Sequence, residues 1–400
     1  MGVPARIVVV GNGAGASGVV AAARATEPNA TITPCSQVSA IDLDRRTVEV
    51  KGENPVTWER LVIAADSPTA GDDSVPTDLA GLHTAADIPT GSAWDQALEG
   101  VKVAVVVEAT PSGLAVVAAL AERGIETHLV DPGATALAGA ADPEIAGAVE
   151  ESWGEMGVKT HFNTTVEGYL GEGRVRAVQT SEGELPADLV VVCTRVAVAN
   201  DVAAAAGLDV APTGGIVVDE HMATSVAGVW AAGECIELPA GVTRFAMLDS
   251  PSHAHAQGRV AGINAAGGSR TYQPAYVPWA LNAGRWTLGG VAFGETQATA
   301  QGVAYVLGKA TGISRARYYP DVKKVTVKLL AEPGSLRLIG AQLVGGEGIK
   351  ERANFLAMAV KTGVSLTDLA FMENVYSPPI GALNEPIAVA AQNGLATLRS

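Results

Sequence analysis

The sequence predicts an α/β protein made of two strand–turn–helix units, followed by a C-terminal α+β domain. A buried strand, a glycine-rich turn and a helix open the chain, and the same order of elements returns near residue 102. From residue 271 onward aromatic residues become frequent, and predicted strands are followed by predicted helices. A chain of 400 residues is too long for one ordinary hydrophobic core, so several domains are expected.

The first unit begins close to the N-terminus. Ile7–Val10 is a short, apolar and β-branched run, which is typical of a strand buried on both faces. Glycines follow at positions 11, 13 and 15, and the alanine-rich stretch Ser17–Ala25 predicts a helix. Such a turn lets a pyrophosphate approach the backbone, and the helix N-terminus offers it free N–H groups. An ordinary turn of small residues is the alternative. The residues expected to bind a dinucleotide are Gly11, Gly13, Ala14, Gly15 and Ala16.

Further strands complete the first unit. Ala30–Thr33 is the second strand, Val38–Asp42 and Thr47–Lys51 form a hairpin, and Leu61–Ala65 is another buried strand. A dinucleotide-binding fold usually has a carboxylate at the end of its second strand, where it binds the ribose hydroxyls. Ser36 takes that place here, and a hydroxyl binds ribose more weakly than a charged acceptor does.

The second unit repeats this architecture. Val103–Val107 predicts a buried strand, Leu114–Arg123 a helix and Glu126–Val130 the next strand. We therefore expect two Rossmann-like dinucleotide-binding domains.

The turn of the second unit has a different chemistry. Of the three glycines in the motif, only Gly113 remains. Glu108 brings a negative charge to the turn, and Thr110 adds a side chain where the backbone should be bare. Asp131, at the end of the next strand, is well placed for a ribose. We nevertheless expect this degenerate turn not to bind NAD(P)H.

The remaining elements are predicted from periodicity. Two amphipathic stretches, Ile145–Met156 and Ser252–Ala265, predict helices. The C-terminal domain has predicted strands at Ala304–Leu307, Ala316–Tyr319, Val325–Leu330 and Leu338–Val344, and predicted helices at Ile349–Thr362, Leu366–Met372 and Pro386–Leu395.

The composition of the chain argues against some kinds of binding partner and indicates a cellular compartment. The net charge of −15 argues against nucleic acid and against an anionic membrane surface. No apolar run reaches the roughly 20 residues that span a bilayer. Cys35, Cys193 and Cys235 lack metal-like spacing, so no metal site is expected, and their small number fits a reducing cytoplasm. The first residues lead directly into a strand, so we expect no signal peptide.

Four phrases carry a resemblance to a known family. They are VWAAGE at 229–234, QGRVAGINAAGG at 257–268, LIGAQLVGGEGIKERANFLAMAV at 338–360 and YSPPIGALNEPIAVAAQN at 376–393. In this order, the chain resembles the FAD-dependent pyridine nucleotide–disulfide oxidoreductases, in the branch of NADH oxidases, coenzyme A disulfide reductases and persulfide reductases. The resemblance implies an FAD domain at 1–98 and 219–270, an NAD(P) domain inserted in it at 99–218, and a C-terminal domain at 271–400 that forms a homodimer. It also implies that Tyr376 lies near the active site.

The sequence departs from the family where its chemistry lies. The segment that carries the family's redox cysteine is missing after the second strand, and Cys35 lies too close to that strand to replace it. Asp66 stands where the family has a glycine. Gly233 and Glu234 match a phrase whose aspartate binds the flavin ribityl chain, so they are further candidates for cofactor binding. These departures put FAD binding in doubt and leave loss of the flavin open.

Two functions therefore stay open. One is a homodimeric flavoprotein-fold oxidoreductase that acts on a small molecule without a redox cysteine. The other is a flavin-free member of the fold, which either catalyses acid–base chemistry such as isomerisation, cyclisation or elimination, or is a non-catalytic dimer. The candidate catalytic residues are Tyr376, His253 and His255. The two histidines are two positions apart on a predicted helix and point to different faces, so they do not form a metal pair.

Overall fold

The computed structural model describes residues 5–65, 75–76, 78–85, 87–194, 200–238, 250–272 and 276–398. The chain divides into two compact units. The first contains Met1–Gly71, Val196–Arg244 and Asp249–Ala275, and the second contains Asp72–Arg195, Phe245–Leu248 and Tyr276–Ser400. The chain thus leaves the first unit and returns to it, which confirms the expected insertion. The domain bounds given above stay a prediction.

The elements follow in chain order. The N-terminal part contains β1 (Arg6–Val10), α1 (Ala14–Thr26), β2 (Thr31–Cys35), β3 (Val38–Asp42), β4 (Thr47–Val50), β5 (Val56–Thr57) and β6 (Arg60–Ile63). Then come β7 (Leu82–Thr84), α2 (Ser92–Ala97), β8 (Val103–Val107), α3 (Pro111–Glu122), β9 (Glu126–Asp131), α4 (Pro143–Glu155), β10 (Lys159–Phe162), β11 (Val166–Gly171), β12 (Val175–Thr180), β13 (Gly183–Pro186) and β14 (Leu189–Val192). The central part contains α5 (Asp201–Ala205), β15 (Ile216–Val217), β16 (Val229–Ala231), β17 (Ile236–Glu237) and α6 (Pro251–Ala265). The C-terminal part contains β18 (Trp279–Ala283), β19 (Trp286–Ala292), α7 (Glu295–Ala300), β20 (Val306–Ile313), β21 (Lys324–Ala331), β22 (Leu338–Gly345), α8 (Ile349–Thr362), α9 (Leu366–Ala370) and α10 (Pro386–Thr397).

A parallel sheet with the order β16-β6-β1-β2 forms the centre of the first unit. β1 lies inside this sheet because its residues are apolar on both faces, and Ile7 and Val9 are fully buried. The predicted hairpin is confirmed, since β3 pairs antiparallel with β4. Helix α1 begins at Ala14, earlier than the predicted start at Ser17, because Gly13 is its N-cap in an extended conformation.

Helices α1 and α6 pack against each other through glycines. A Cβ atom at Gly18 would overlap the carbonyl oxygen of His255, and one at Gly258 would overlap that of Gly15. A Cβ at Gly262 would likewise overlap the carbonyl oxygen of Val19. The two backbones therefore touch directly, which only residues without a side chain permit.

A second parallel sheet, with the order β10-β9-β8-β14-β7, organises the inserted part of the chain. β8 has the predicted bounds, and its residues Ala104, Val105 and Val106 are fully buried. Strands β11, β12 and β13 form a separate antiparallel sheet. The Rossmann-like character predicted for this segment is confirmed.

The C-terminal part of the second unit contains an antiparallel sheet with the order β18-β19-β22-β21-β20. Helix α8 packs on β19 and β22, and α10 packs on β20 and β21. The predicted strand Ala316–Tyr319 is wrong. This stretch forms turns, in which the amide of Ala316 donates to the carbonyl of Pro378 and that of Tyr319 donates to the carbonyl of Ala316. Within the part of the chain that the structure describes, no helix has the length and apolar character needed to cross a bilayer.

A buried lysine joins α4, α7 and β21 within the second unit. Lys328 is 2% exposed, and its Nζ lies 2.7 Å from a carboxylate oxygen of Asp142, of Glu144 and of Glu295. Asp142 is itself 1% exposed and also accepts hydrogen bonds from the amides of Glu295 and Thr296. These partners raise the pKa of Lys328 despite its burial, which opposes the charged form. The ammonium group therefore compensates the carboxylate of Asp142, which has little access to water, and also pairs with the partly exposed carboxylates of Glu144 and Glu295.

Replacing this lysine should destabilise the protein strongly. We expect Lys328→Met to lower the free energy of unfolding by about 3–5 kcal/mol, because it leaves Asp142 charged and buried without its counter-ion. Lys309→Met is a matched control, since Lys309 pairs with Glu144 at the surface and such pairs contribute about 0–1 kcal/mol. Urea denaturation followed by circular dichroism measures both. Equal losses of stability in the two variants would contradict this assignment.

Candidate functional site

The turn after β1 requires glycine at its first position. Gly11 has φ of 123°, and a Cβ there would overlap the carbonyl oxygen of Ala64 at the end of β6. Its amide donates to the carbonyl of Cys35 at 2.8 Å, which ties the turn to the end of β2. The turn is thus held between the two strands that flank β1, with no room for a side chain.

The N-terminus of α1 is open to an anion. Gly13 is the N-cap, no described side chain caps it, and no acidic residue lies in the first turn. The first amides of a helix have no partner within the helix, and the helix dipole adds partial positive charge there. Gly13, Ala14, Gly15 and Ala16 therefore form a cradle that fits a pyrophosphate.

The segment after β16 lies beside the start of α1. A Cβ at Gly15 would lie 3.5 Å from the carbonyl oxygen of Ala232, an ordinary contact distance. Gly233 has φ of 92°, and its amide donates to the Oε1 of Gln257 at 3.0 Å. Glu234 follows directly and is half-buried. Gly233 and Glu234 thus lie in a turn that continues the surface of the α1 cradle.

The two histidines of α6 have different surroundings. His253 is buried, whereas His255 is exposed and its Nδ1 lies 3.2 Å from the Oγ of Ser17 on α1. Ser17 donates its own hydroxyl hydrogen to the carbonyl of Ala14 at 2.9 Å, so its oxygen accepts from Nδ1 of His255. The Nε2 atom of neutral His255 is then the acceptor nitrogen. The structure confirms that the two side chains point to different faces.

Gln257 and Tyr272 also belong to this site, and the sequence analysis missed them. Gln257 is fully buried, accepts from Gly233 and hydrogen-bonds the Tyr272 hydroxyl. Burial raises the pKa of Tyr272, although this hydrogen bond acts in the opposite direction. Gln257 opens the QGRVAGINAAGG phrase, so the phrase pointed to this residue without giving its role.

The connection from β2 to β3 consists of Ser36 and Gln37 alone. Ser36 is exposed and follows Cys35, whose carbonyl accepts from the amide of Gly11, so it lies next to the cradle. Its contact with a ribose stays a prediction. Cys35 itself is buried, and burial raises the pKa of its thiol, with a smaller contribution from the charge of Glu53. Asp66 lies outside the described residues.

The other two thiols are also buried. Cys235 is 1% exposed, and its Sγ lies 3.4 Å from the carbonyl oxygen of Ala232. Burial raises the pKa of Cys193 to about 12, and the charge of Glu108 adds to this effect. A thiol reacts as its thiolate, which these surroundings disfavour. None of the three cysteines is therefore an exposed nucleophile.

The turn after β8 keeps a tight backbone without the motif glycines. Glu108 adopts φ of 72°, a conformation that glycine usually occupies, and a Cβ at Gly113 would overlap its carbonyl oxygen. Thr110 caps α3, because its hydroxyl accepts from the amide of Gly113 at 3.2 Å and donates to the carbonyl of Cys193 at 2.9 Å. Asp131 accepts from the amides of Ala109 and Gly133, each at 2.6 Å.

Tyr376 belongs to the second unit, unlike the histidine candidates. Its side chain is 46% exposed. The hydroxyl of Tyr318 hydrogen-bonds that of Tyr376, and this bond raises the pKa of Tyr318. The structure thus joins Tyr376 to another phenol, and its catalytic role stays a prediction.

Comparison with known families covers most of the chain. A family model described as pyridine nucleotide-disulphide oxidoreductase matches residues 26–258. A second model, for the dimerisation domain of the same oxidoreductases, matches residues 284–386.

Individual relatives align along nearly the whole chain. The sequence is 29% identical over 377 residues to an NADH oxidase of Methanocaldococcus jannaschii, covering 91% of this chain and 83% of that protein. It is 27% identical over 362 residues to a CoA-dependent NAD(P)H sulfur oxidoreductase of Pyrococcus abyssi, covering 88% and 80%. The structure of an NAD-dependent persulfide reductase from A. fulgidus superposes with a TM-score of 0.88 at 25% identity, covering 98% of this chain and 84% of that one.

These relatives correct the cofactor predictions. The expectation that NAD(P)H does not bind is wrong, because the chain matches along its length a family whose members are named for NADH, NAD(P)H or NAD. The doubt placed on FAD is also wrong, because membership of this family supports FAD. The prediction failed for a physical reason. Thr110 is not an obstacle in the turn after β8, because Thr110 and Asp131 form hydrogen bonds within the domain that preserve the backbone of the turn.

The burial of the thiols should be visible in solution. At about pH 8, we expect the native protein to react with Ellman's reagent at less than one thiol per chain within minutes, because all three thiols are buried. After denaturation in guanidinium, three thiols per chain should react. Rapid modification of a thiol in the native protein would contradict the assignment.

Proposed function

Because the chain belongs to the pyridine nucleotide-disulphide oxidoreductase family, we propose that it is an FAD-dependent oxidoreductase that takes electrons from NAD(P)H and reduces a small molecule without a redox cysteine. The proposal that no cysteine takes part in the reaction rests on the burial of all three thiols. Thiol–disulfide exchange requires an accessible thiolate, and this chain does not provide one.

The first unit supplies the proposed FAD site. The amides of Gly13 to Ala16 would bind the pyrophosphate, Ser36 would contact the adenosine ribose, and Glu234 would accept hydrogen bonds from the ribityl chain. When bound, FAD would accept a hydride from NAD(P)H and pass two electrons to the substrate. Gly233 and Gln257 position the Glu234 turn through their hydrogen bond.

The position of Cys35 supports a mechanism without a thiol. Cys35 ends β2, where its carbonyl binds the amide of Gly11 at the turn that would hold the pyrophosphate. Only Ser36 and Gln37 separate it from β3, so this connection cannot carry a thiol elsewhere. Electrons would therefore pass to the substrate directly, and the substrate is a small molecule that accepts two electrons.

The surface of the C-terminal domain supports a homodimer. Within the segment that matches the dimerisation model, several large apolar side chains are exposed, which a monomer of this size would rarely show as a group. They are Phe355, Met358, Phe371, Val375, Ile380 and Leu383. Tyr376 lies within the same stretch and is the catalytic candidate of the C-terminal domain. In the first unit, His253 and His255 are the candidates for proton transfer to the substrate.

The flavin site can be tested at Gly11. The purified protein should show a flavin absorbance spectrum, and Gly11→Ala should lose most of the bound flavin because its Cβ meets the carbonyl of Ala64. Gly52→Ala is the matched control: Gly52 also has a positive φ of 81°, but it has open space around it, so flavin should remain. Circular dichroism verifies that both variants fold. A colourless wild-type protein that also fails to bind added FAD would overturn the proposal.

The cysteine-free mechanism has its own test. The triple variant Cys35→Ala, Cys193→Ala, Cys235→Ala should keep its rate of NADH-driven reduction of an artificial two-electron acceptor, within about threefold of the wild type. The rate is measured anaerobically by the loss of NADH absorbance, with flavin content as the normalising quantity. A loss of activity by orders of magnitude at unchanged flavin content would show that a thiol takes part.

A further inference from the structure

A pair of histidines joins the two strands at one edge of the second parallel sheet. His128 lies on β9 and is 7% exposed, and its Nδ1 is 3.0 Å from Nε2 of His161 on β10. The ring planes are inclined by only 5°, and the ring centroids are 5.2 Å apart. The distance between the centroids is close to the sum of the N···N distance and the two ring radii. The two rings therefore lie end to end in one plane. This is the geometry of a linear N–H···N hydrogen bond.

A carboxylate fixes which ring is the donor. Nε2 of His128 lies 3.3 Å from Oε1 of Glu126, and a carboxylate only accepts, so this nitrogen carries a hydrogen. In neutral His128, Nδ1 is then the acceptor, and His161 donates to it from Nε2. The bond needs one unprotonated nitrogen between the rings, and it persists until both facing nitrogens carry hydrogens.

The pair is linked by backbone hydrogen bonds to the turn after β8. Beyond β10, the amide of Asn163 donates to the carbonyl of Gly133 at 2.9 Å, and that of Thr164 donates to the carbonyl of Asp131 at 3.0 Å. The carboxylate of Asp131 in turn holds the amides of Gly133 and Ala109. Ala109 lies in the turn itself. An unbroken series of bonds therefore leads from β10 to the backbone of this turn.

We propose that His128 and His161 are positioning residues for the turn that binds the nicotinamide coenzyme, and that their shared hydrogen bond makes this positioning depend on pH. The coenzyme part rests on the function proposed above. With the bond intact, β10 is fixed to β9 and holds the Asp131 loop against the turn. Because burial makes His161 harder to protonate here than when β10 is open to water, acid favours the open arrangement, in which β10 loosens and the coenzyme binds more weakly.

The charges around the pair determine the direction of the effect. Burial is the largest of the factors that lower the pKa of His161, and the charges of His128 and Lys159 lower it further. Glu182, in the turn between β12 and β13, acts in the opposite direction, and Glu126 pairs with Lys159. A histidine whose pKa is lowered on folding binds protons more readily in the unfolded state. The folded arrangement therefore loses stability as pH falls below the ordinary histidine value of about 6.5.

Two substitutions of His161 distinguish the effect of the hydrogen bond from the effect of protonating the histidine. The amide of His161→Gln can still donate to Nδ1 of His128 but does not titrate, whereas His161→Ala removes the donor. His83→Gln, on β7 at the opposite edge of the same sheet, is the control for removing a half-buried histidine. Thermal unfolding verifies that all variants fold.

The first measurement needs no coenzyme. Hydrogen exchange of β10 amides, expressed as protection factors, should fall about tenfold in the wild type and in His83→Gln between about pH 7.5 and 5.5. His161→Gln should stay protected at both pH values, and His161→Ala should be unprotected at both. Equal pH dependence in the wild type and in His161→Gln would overturn the proposal.

The second measurement is the dissociation constant for NADH under the same conditions. It should rise about tenfold for the wild type on acidification, remain low for His161→Gln and remain high for His161→Ala. If no form binds NADH at any pH, the proposed function fails while the exchange data still test the bond. If NADH binds with the same affinity in all variants, the pair does not position the turn.

Discussion

The contact between the backbones of α1 and α6 is the constraint on which the first unit depends. Gly18, Gly258 and Gly262 remove the side chains that would keep the two helices apart. Helix α1 starts at the glycine turn, and α6 carries both histidine candidates and Gln257, which holds Gly233. Close packing of the helices thus brings the return segment of a discontinuous unit to the turn that opened it. A cradle for a pyrophosphate arises from parts of the chain more than 200 residues apart.

The two strand–turn–helix units form the tight turn between strand and helix with different residues. In the first, Gly11 meets the carbonyl of Ala64, and the start of α1 has no capping side chain. In the second, Thr110 caps α3, Asp131 fixes the amide of Ala109, and Glu108 accepts a left-handed conformation. Backbone geometry can therefore survive the loss of the glycines that usually provide it. For this reason, the loss of two motif glycines from the turn after β8 did not predict correctly whether NAD(P)H binds.

The family is named for disulfide chemistry, but the three cysteines of this chain are buried. Cys35, Cys193 and Cys235 are packed into cores, with pKa values that burial raises for Cys35 and Cys193. A bound flavin and a nicotinamide coenzyme can transfer electrons without a thiol. In the proposed function, cofactor binding by this fold is thus independent of disulfide exchange.

The sequence by itself determined the strands and the order of the units. Apolar β-branched runs such as Ile7–Val10 and Val103–Val107 are typical of buried strands, and the phrases from VWAAGE to YSPP identified the family. Local patterns failed where a distant partner decides: Ala316–Tyr319 has strand propensity, but Pro378 holds it as a turn. Tertiary structure alone placed Ser17 beside His255, His128 end to end with His161, and Lys328 among its carboxylates. These contacts join residues that are far apart in the chain. They depend on hydrogen-bond geometry and burial, which no local sequence pattern encodes.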